Sequence, residues 1–223
     1  MSLGEAIARL AERIARPGES VSSPLLVMVA GSNGAGKTTF YEAYLAPLRL
    51  PFINADRIAA ALRAGTLEPP PHFKGLGADE AAQRIADEER LGSILLGRSF
   101  VTETVLSDPV GAKVAMLDDA RTRGFEAWLF FIGISSPAVS FARVQERVSA
   151  RAGHDVPGDR IQSRYPRTLA NLPGAIAAAS LAVLLDNDLA DAPYRFVALF
   201  ENGALVRASN LVPTWATRVL PPR

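Results

Sequence analysis

Gly31-Ser32-Asn33-Gly34-Ala35-Gly36-Lys37-Thr38 follows the apolar, β-prone run Leu25-Leu26-Val27-Met28-Val29-Ala30 and opens a helix-compatible segment, Thr38 to Leu48. The spacing G-x-x-x-x-G-K-T between a strand and a helix is that of a Walker A phosphate loop. Glycines let such a loop take backbone angles closed to bulkier residues, so that successive N–H groups point inward. Those donors and the positive end of the following helix suit a di- or triphosphate. Gly31, Ser32, Asn33, Gly34, Ala35, Gly36, Lys37, Thr38 and Thr39 are therefore expected to bind ATP. Lys37 is expected to reach the β- and γ-phosphates, and Thr38 to hold Mg²⁺. A glycine-rich turn that precedes a lysine by chance is the competing reading, and the flanking strand and helix weigh against it.

Working outward, Pro51-Phe52-Ile53-Asn54 reads as a short strand and Ile58, Ala59 and Leu62 as a brief helix. Pro69-Pro70-Pro71 makes Gly65 to Gly77 a loop. Helices are expected over Ala78 to Leu96, Val110 to Arg123, Pro137 to about Ala150, and Pro157 to Leu172. Strands are expected over Ser99 to Thr104, Ala127 to Ile132 and Leu181 to Leu185, the last ending at Asp186-Asn187-Asp188. This alternation predicts an α/β fold, a mainly parallel sheet between two helical layers as in P-loop NTPases. Asn202-Gly203, between Phe196–Glu201 and Ala204–Ala208, predicts a C-terminal β-hairpin, expected as a small antiparallel appendage.

A chain of 223 residues suits one α/β domain with a small lid or tail. Its formal net charge of +1 gives no support for a nucleic-acid or acidic-membrane partner. Cysteine is absent, which excludes disulfides, thiol catalysis and Cys-based zinc sites. His72 and His154 are the only histidines, too few for a His-built metal centre. The N-terminal stretch to Arg16 is amphipathic and lacks the apolar core of a signal peptide, so a cytoplasmic protein is expected.

In open α/β sheets ligands sit at the carboxyl ends of the strands. Asp56, Glu103-Thr104 and Asp186-Asn187 fall at three such ends. Asp56 suits a base that orients an acceptor hydroxyl in line with a γ-phosphate. It also suits a helix N-cap, as does Asn54. Glu103 can position substrate, hold Mg²⁺ through water, or bond to nearby backbone. Arg143, Arg147 and Arg151 recur every four residues on one helix face, and Arg160, Arg164 and Arg167 follow on the next helix. With Gly153-His154-Asp155-Val156-Pro157 between them, these arginines form a candidate phosphate-closing lid at about residues 137–172.

The ordered set Ile53-Asn54-Ala55-Asp56, Glu103-Thr104-Val105-Leu106-Ser107, Arg147-Val148, Gly153-His154-Asp155-Val156-Pro157 and Arg164-Tyr165-Pro166-Arg167 resembles the zeta-toxin family. The resemblance extends from about Leu25 to Asn187 and includes Leu169 and Asn171-Leu172. It implies a kinase that uses ATP and Mg²⁺ and phosphorylates a hydroxyl of a small molecule, a UDP-N-acetyl sugar in the family's best-characterised members. By motif, Asp56 resembles the family's base, Glu103 its substrate-positioning carboxylate, and Arg151 and Arg164 its lid arginines; Thr104, next to Glu103, is expected on the substrate side, with β-propensity as its plainer reading. Arg147 rivals Arg151 for that role, and Asn187 resembles a residue near the nucleotide base. The expected organisation is an N-terminal helix and linker over 1–20, a P-loop kinase domain over 21–192, and a hairpin and tail over 193–223.

The leading expectation is an ATP:small-molecule phosphotransferase. The alternative is a nucleotide-dependent regulatory ATPase acting through a protein partner. No N-K-x-D guanine motif and no L-S-G-G-Q signature occurs, which argues against a GTPase switch and an ABC transporter ATPase. The resemblance further implies an antitoxin-like partner whose helix covers the ATP site. The N-terminal helix is expected either to pack on the sheet's flank or to play that covering part in cis.

Overall fold

Leu25–Ala30 forms the central strand β1, every residue of it buried. Such a run without alternation is what a parallel strand covered on both faces requires. The computed structural model describes residues 2–15, 23–150 and 157–220. Within them β2 is Phe52–Ile53, β3 Phe100–Thr104, β4 Glu126–Gly133, β5 Leu181–Asp186, β6 Arg195–Glu201 and β7 Ala204–Ala208. The helices are α1 Leu3–Ala15, α2 Lys37–Phe40, α3 Ala55–Arg63, α4 Ala78–Leu95, α5 Ala112–Thr122, α6 Pro137–Ser149 and α7 Gly158–Ala178. All seven strands share one sheet in the order β2-β3-β1-β4-β5-β6-β7. Strands β1 to β5 pair in parallel, and β6 and β7 pair antiparallel.

Period-two alternation divides the core between the two faces. Leu26, Met28, Leu129, Phe131 and Leu184 face α4, α5, α7 and the turn that carries Trp215. Leu25, Val27, Val29, Trp128, Phe130 and Val183 face α1 and the α2 segment. Helix α1 buries Ala6 and Leu10 there, while Arg13 bonds Glu126 at 2.9 Å and Arg9 bonds Glu201 at 2.7 Å. Glu126 pairs with Leu25 and Glu201 with Leu181, at the amino ends of β1 and β5. The N-terminal helix therefore packs on the sheet's flank, far from the carboxyl ends where the phosphate loop emerges.

Three elements differ from their sequence expectation. The helical segment from Thr38 to Leu48 is α-helical only to Phe40 and continues as a π-helix over Tyr41–Leu45 and a 3-10 turn over Ala46–Leu48. The helix expected to stop at Leu172 runs on to Ala178 through Pro166 and Pro173. The interior Pro173 removes one N–H donor, and burial of Ala175, Ile176 and Ala178 against the sheet offsets that loss. Packing wins over the missing N–H. The hairpin forms as expected, with Asn202 and Gly203 at φ 48° and 78°. It is no separate appendage, because β6 pairs with β5 and buries Val197, Ala198, Leu199 and Phe200 in the main core.

Candidate active site

The phosphate loop leaves β1 at Gly31 and enters α2 at Lys37. A Cβ on Gly31 would lie 2.2 Å from the Ile132 carbonyl oxygen, so no other residue fits this approach to β4. Gly36, the N-cap of α2, has φ 89°, and a Cβ there would meet Asn187 Nδ2 at 2.6 Å. Glycine at these two positions thus follows from crowding as well as from backbone angle.

Three side chains from distant parts of the chain fasten this loop. Asn187 donates to Ala35 O at 2.9 Å and accepts the Tyr194 amide at 3.2 Å. The Tyr194 hydroxyl donates to Gly36 O at 2.9 Å. Ser140 on α6 donates to Asn33 O at 2.5 Å. One turn on, Arg143 donates to Asn187 O and Asp188 O at 2.7 and 2.9 Å. Its guanidinium is committed to backbone carbonyls that support the loop.

Lys37 is 7% exposed, donates to Ser32 O at 3.0 Å, and lies 3.7 Å from Glu103 Oε1. Burial lowers its pKa, while the charges of Glu103 and Asp56 oppose that shift and Arg147 adds to it. Glu103, at the end of β3, accepts from Thr38 Oγ1 at 3.0 Å and from Asn54 Nδ2 at 2.9 Å. Asn54 is the N-cap of α3, its Oδ1 accepting the amides of Asp56 and Arg57 at 2.8 and 3.1 Å. Of the two residue types suited to that cap, Asn54 takes it, and Asp56 follows in the first turn of α3. The Asp56 charge also acts on Arg164 of α7, whose pKa is lowered by burial first and by Arg160 and Arg167 next.

The sequence-derived set is therefore brought together in large part. Lys37, Thr38 and Glu103 touch, and Asp56, Arg147 and Arg164 stand within electrostatic reach of Lys37 or of each other. The Thr104 hydroxyl accepts the Leu106 amide at 3.0 Å, which places it in the turn after β3. Arg151 and the stretch from Gly153 to Val156 lie outside the described residues. Helix α7 is held firmly: Tyr165 donates to Ile134 O, Thr168 to Val105 O, and Asn171 to Leu106 O and Asp108 O. Sequence reasoning did not single out Tyr194 or Ser140, whose partners lie 158 and 107 residues away. A hollow of about 520 Å³ lies elsewhere, between α5 and α7, and none of its lining residues belongs to this cluster.

A glycine-bent loop leaving a central parallel strand, with a buried lysine and a threonine at the start of the next helix, defines a P-loop protein of mixed α/β architecture. No protein-family profile and no curated protein matches the chain in sequence. Solved structures do match. A chain from the PezAT chromosomal toxin–antitoxin system of Streptococcus pneumoniae superposes with TM-score 0.54 at 16% identity, over 97% of this chain and 84% of that one. The AvrRxo1-ORF1:AvrRxo1-ORF2 complex with sulphate ions gives TM-score 0.58 at 17% identity, over 93% and 66%. The same complex with ATP gives 0.51 at 16% identity, over 93% and 68%. At these identities the likeness is one of fold: a mixed α/β sheet, mostly parallel, with helices on both sides and a C-terminal antiparallel hairpin. Among the described residues, no helix is long and apolar enough to cross a membrane.

Proposed function

We propose that this chain is an ATP-dependent phosphotransferase of the zeta-toxin type, acting in the cytoplasm on a hydroxyl of a small molecule. A UDP-N-acetyl sugar is the first acceptor to try. The observation that carries the reading is the Glu103 carboxylate, bonded at once to Thr38 of the phosphate loop and to Asn54, the cap of the helix that bears Asp56. One side chain thereby couples the donor half of the site to the acceptor half.

The loop amides and the start of α2 suit the β- and γ-phosphates of ATP. Lys37 supplies a desolvated positive charge beside them, worth more there than in water. Arg164 and Arg147 bring guanidinium groups to the same region, and by motif Arg151 adds a third. Asp56 orients the acceptor hydroxyl and takes its proton as the new O–P bond forms and the bond to the ADP oxygen breaks. Asn187, through its hold on Ala35, and Thr39 belong to the nucleotide side, and Glu103 with Thr104 to the acceptor side. Thr38 Oγ1 and the Glu103 carboxylate are hard oxygen donors of the kind Mg²⁺ takes, and the ion supplies neutralisation of charge across the phosphate oxygens when bound.

A second reading, a regulatory ATPase working through a protein partner, is favoured by the neighbours in fold. One comes from a toxin–antitoxin system and another from a two-protein complex. An antitoxin-like partner is compatible with both readings. The test is incubation with γ-labelled ATP and a metabolite extract, with UDP-N-acetylglucosamine as a separate arm. Label on a small molecule, lost in Asp56→Asn while ATP binding persists, supports the phosphotransferase. Label released only as phosphate, at a rate set by an added partner, supports the regulatory ATPase.

A further inference from the structure

The strand that delivers Asp56 is only two residues long and lies at the edge of the sheet. Two backbone partners and one edge cannot fix its carboxyl end tightly, because each net hydrogen bond contributes only about 1 kcal/mol. A buried charge lies directly behind it. Arg90 of α4 is 3% exposed, an unusual place for a guanidinium. Its Nε donates to Thr102 Oγ1 at 2.8 Å, and its Nη1 donates to Asp87 Oδ1 at 2.8 Å. Asp87 also receives Lys113 of α5. The Thr102 hydroxyl has a single proton, and it donates that proton to Ile53 O at 3.0 Å. Arg90 therefore fixes which way the hydroxyl points, and the hydroxyl fixes the last carbonyl of β2.

The next residue is Asn54, which caps α3 and bonds Glu103. We infer that Arg90 is a positioning residue: through Thr102 and Ile53 it sets the place of Asn54 and hence the aim of Asp56 toward the phosphate loop. The inference rests on the phosphotransferase reading for the role of Asp56, but not for the mechanical linkage itself. No lysine could replace this group, because the planar fork makes two divergent bonds at fixed geometry. Burial lowers the pKa of Arg90 and Asp87 opposes the shift, consistent with a charge held for the bonds it makes.

The experiment has two arms on the full chain. In the first, amide hydrogen exchange is followed in Thr102→Val, Thr102→Ser and Arg90→Met. Thr102→Val should speed exchange at Asp56 and Arg57 about tenfold or more while the amides of β1 and the phosphate loop keep their protection, and Thr102→Ser should restore the wild-type rates. Unchanged protection at Asp56 and Arg57 in Thr102→Val overturns the inference. Arg90→Met should speed exchange at the same two amides, and a uniform loss across α3, α4 and β3 in that variant, which would make Arg90 a general core support, overturns the inference as well. In the second arm Mg-ATP turnover is measured with water in the acceptor's place. Thr102→Val should lower kcat about tenfold or more with KM for ATP unchanged. An unaltered kcat, or a rise in KM alone, contradicts the positioning role. If wild type and Asp56→Asn turn over alike, the role given to Asp56 in the phosphotransferase reading fails, while the exchange arm still decides the linkage.

Discussion

The Asn54 side-chain amide donates to Glu103 at 2.9 Å while its carbonyl oxygen caps the helix on which Asp56 sits. This one asparagine joins the end of β3, the start of α3 and, through Glu103, the Thr38 hydroxyl. Replacing it separates two effects. Asn54→Ala removes the cap and the Glu103 donor together and should lower unfolding free energy by about 1–2 kcal/mol. Asn54→Asp keeps a capping oxygen but sets a second carboxylate against Glu103, so phosphoryl transfer should fall further than stability does. Urea titration and turnover measured on the same samples check the pair.

Gly36→Ala should cost both stability and nucleotide affinity. The left-handed backbone strains any alanine by about 1–2 kcal/mol, and the added methyl would also press on Asn187 at 2.6 Å and on the Tyr194 hydroxyl at 3.1 Å. Gly97 has φ 61° with open space around it, so Gly97→Ala reports the backbone cost alone. Thermal melts should show Gly36→Ala the worse of the two, and only Gly36→Ala should weaken ATP binding.

The indole of Trp215 donates to Asp186 Oδ1 at 2.9 Å, and Arg195 bonds the other oxygen at 2.8 Å. Asp186 is buried and immediately precedes Asn187, the fastener of the phosphate loop. Trp215→Phe should destabilise the fold by about 1–3 kcal/mol, the cost of a buried acceptor that loses its donor. Calorimetric melting checks the size, and an added loss of ATP affinity shows that the strain reaches Asn187.

Two tyrosines give the fold an alkaline limit. Burial first, with Asp188 for Tyr165 and Tyr44 for Tyr194, pushes both phenols up to about 12 from an ordinary 10.0. Between those values the unfolded chain has released protons that the folded chain still holds, so stability falls as pH rises. It should be level below pH 10 with respect to these groups and decline from there toward 12. Denaturant titrations of wild type and of Tyr165→Phe/Tyr194→Phe should show a smaller alkaline slope in the double variant.

The local half of this molecule was legible in its sequence. Gly31 to Thr38 is read from spacing because loop geometry depends on neighbours in the chain, and Asn202-Gly203 likewise announces its turn. What hid was long-range. Asn54 and Asp56 are both good caps two residues apart, and only the pairing of β2 with β3, which sets Asn54 beside Glu103, decides between them. Tyr194 has φ 55° and a partner at Gly36 that no periodicity announces. The extension of α7 beyond Pro173 and the joining of β6 to β5 were both decided by burial in the shared core, where tertiary packing outweighs local preference.

Titration calorimetry with Mg-ATP measures whether the Gly31–Thr38 loop and Lys37 hold the polyphosphate of ATP. A saturable heat at one site per chain is expected, with competition by ADP and loss of that heat in Lys37→Ala with the fold intact. A folded wild-type protein that gives no heat and no ADP competition would contradict it.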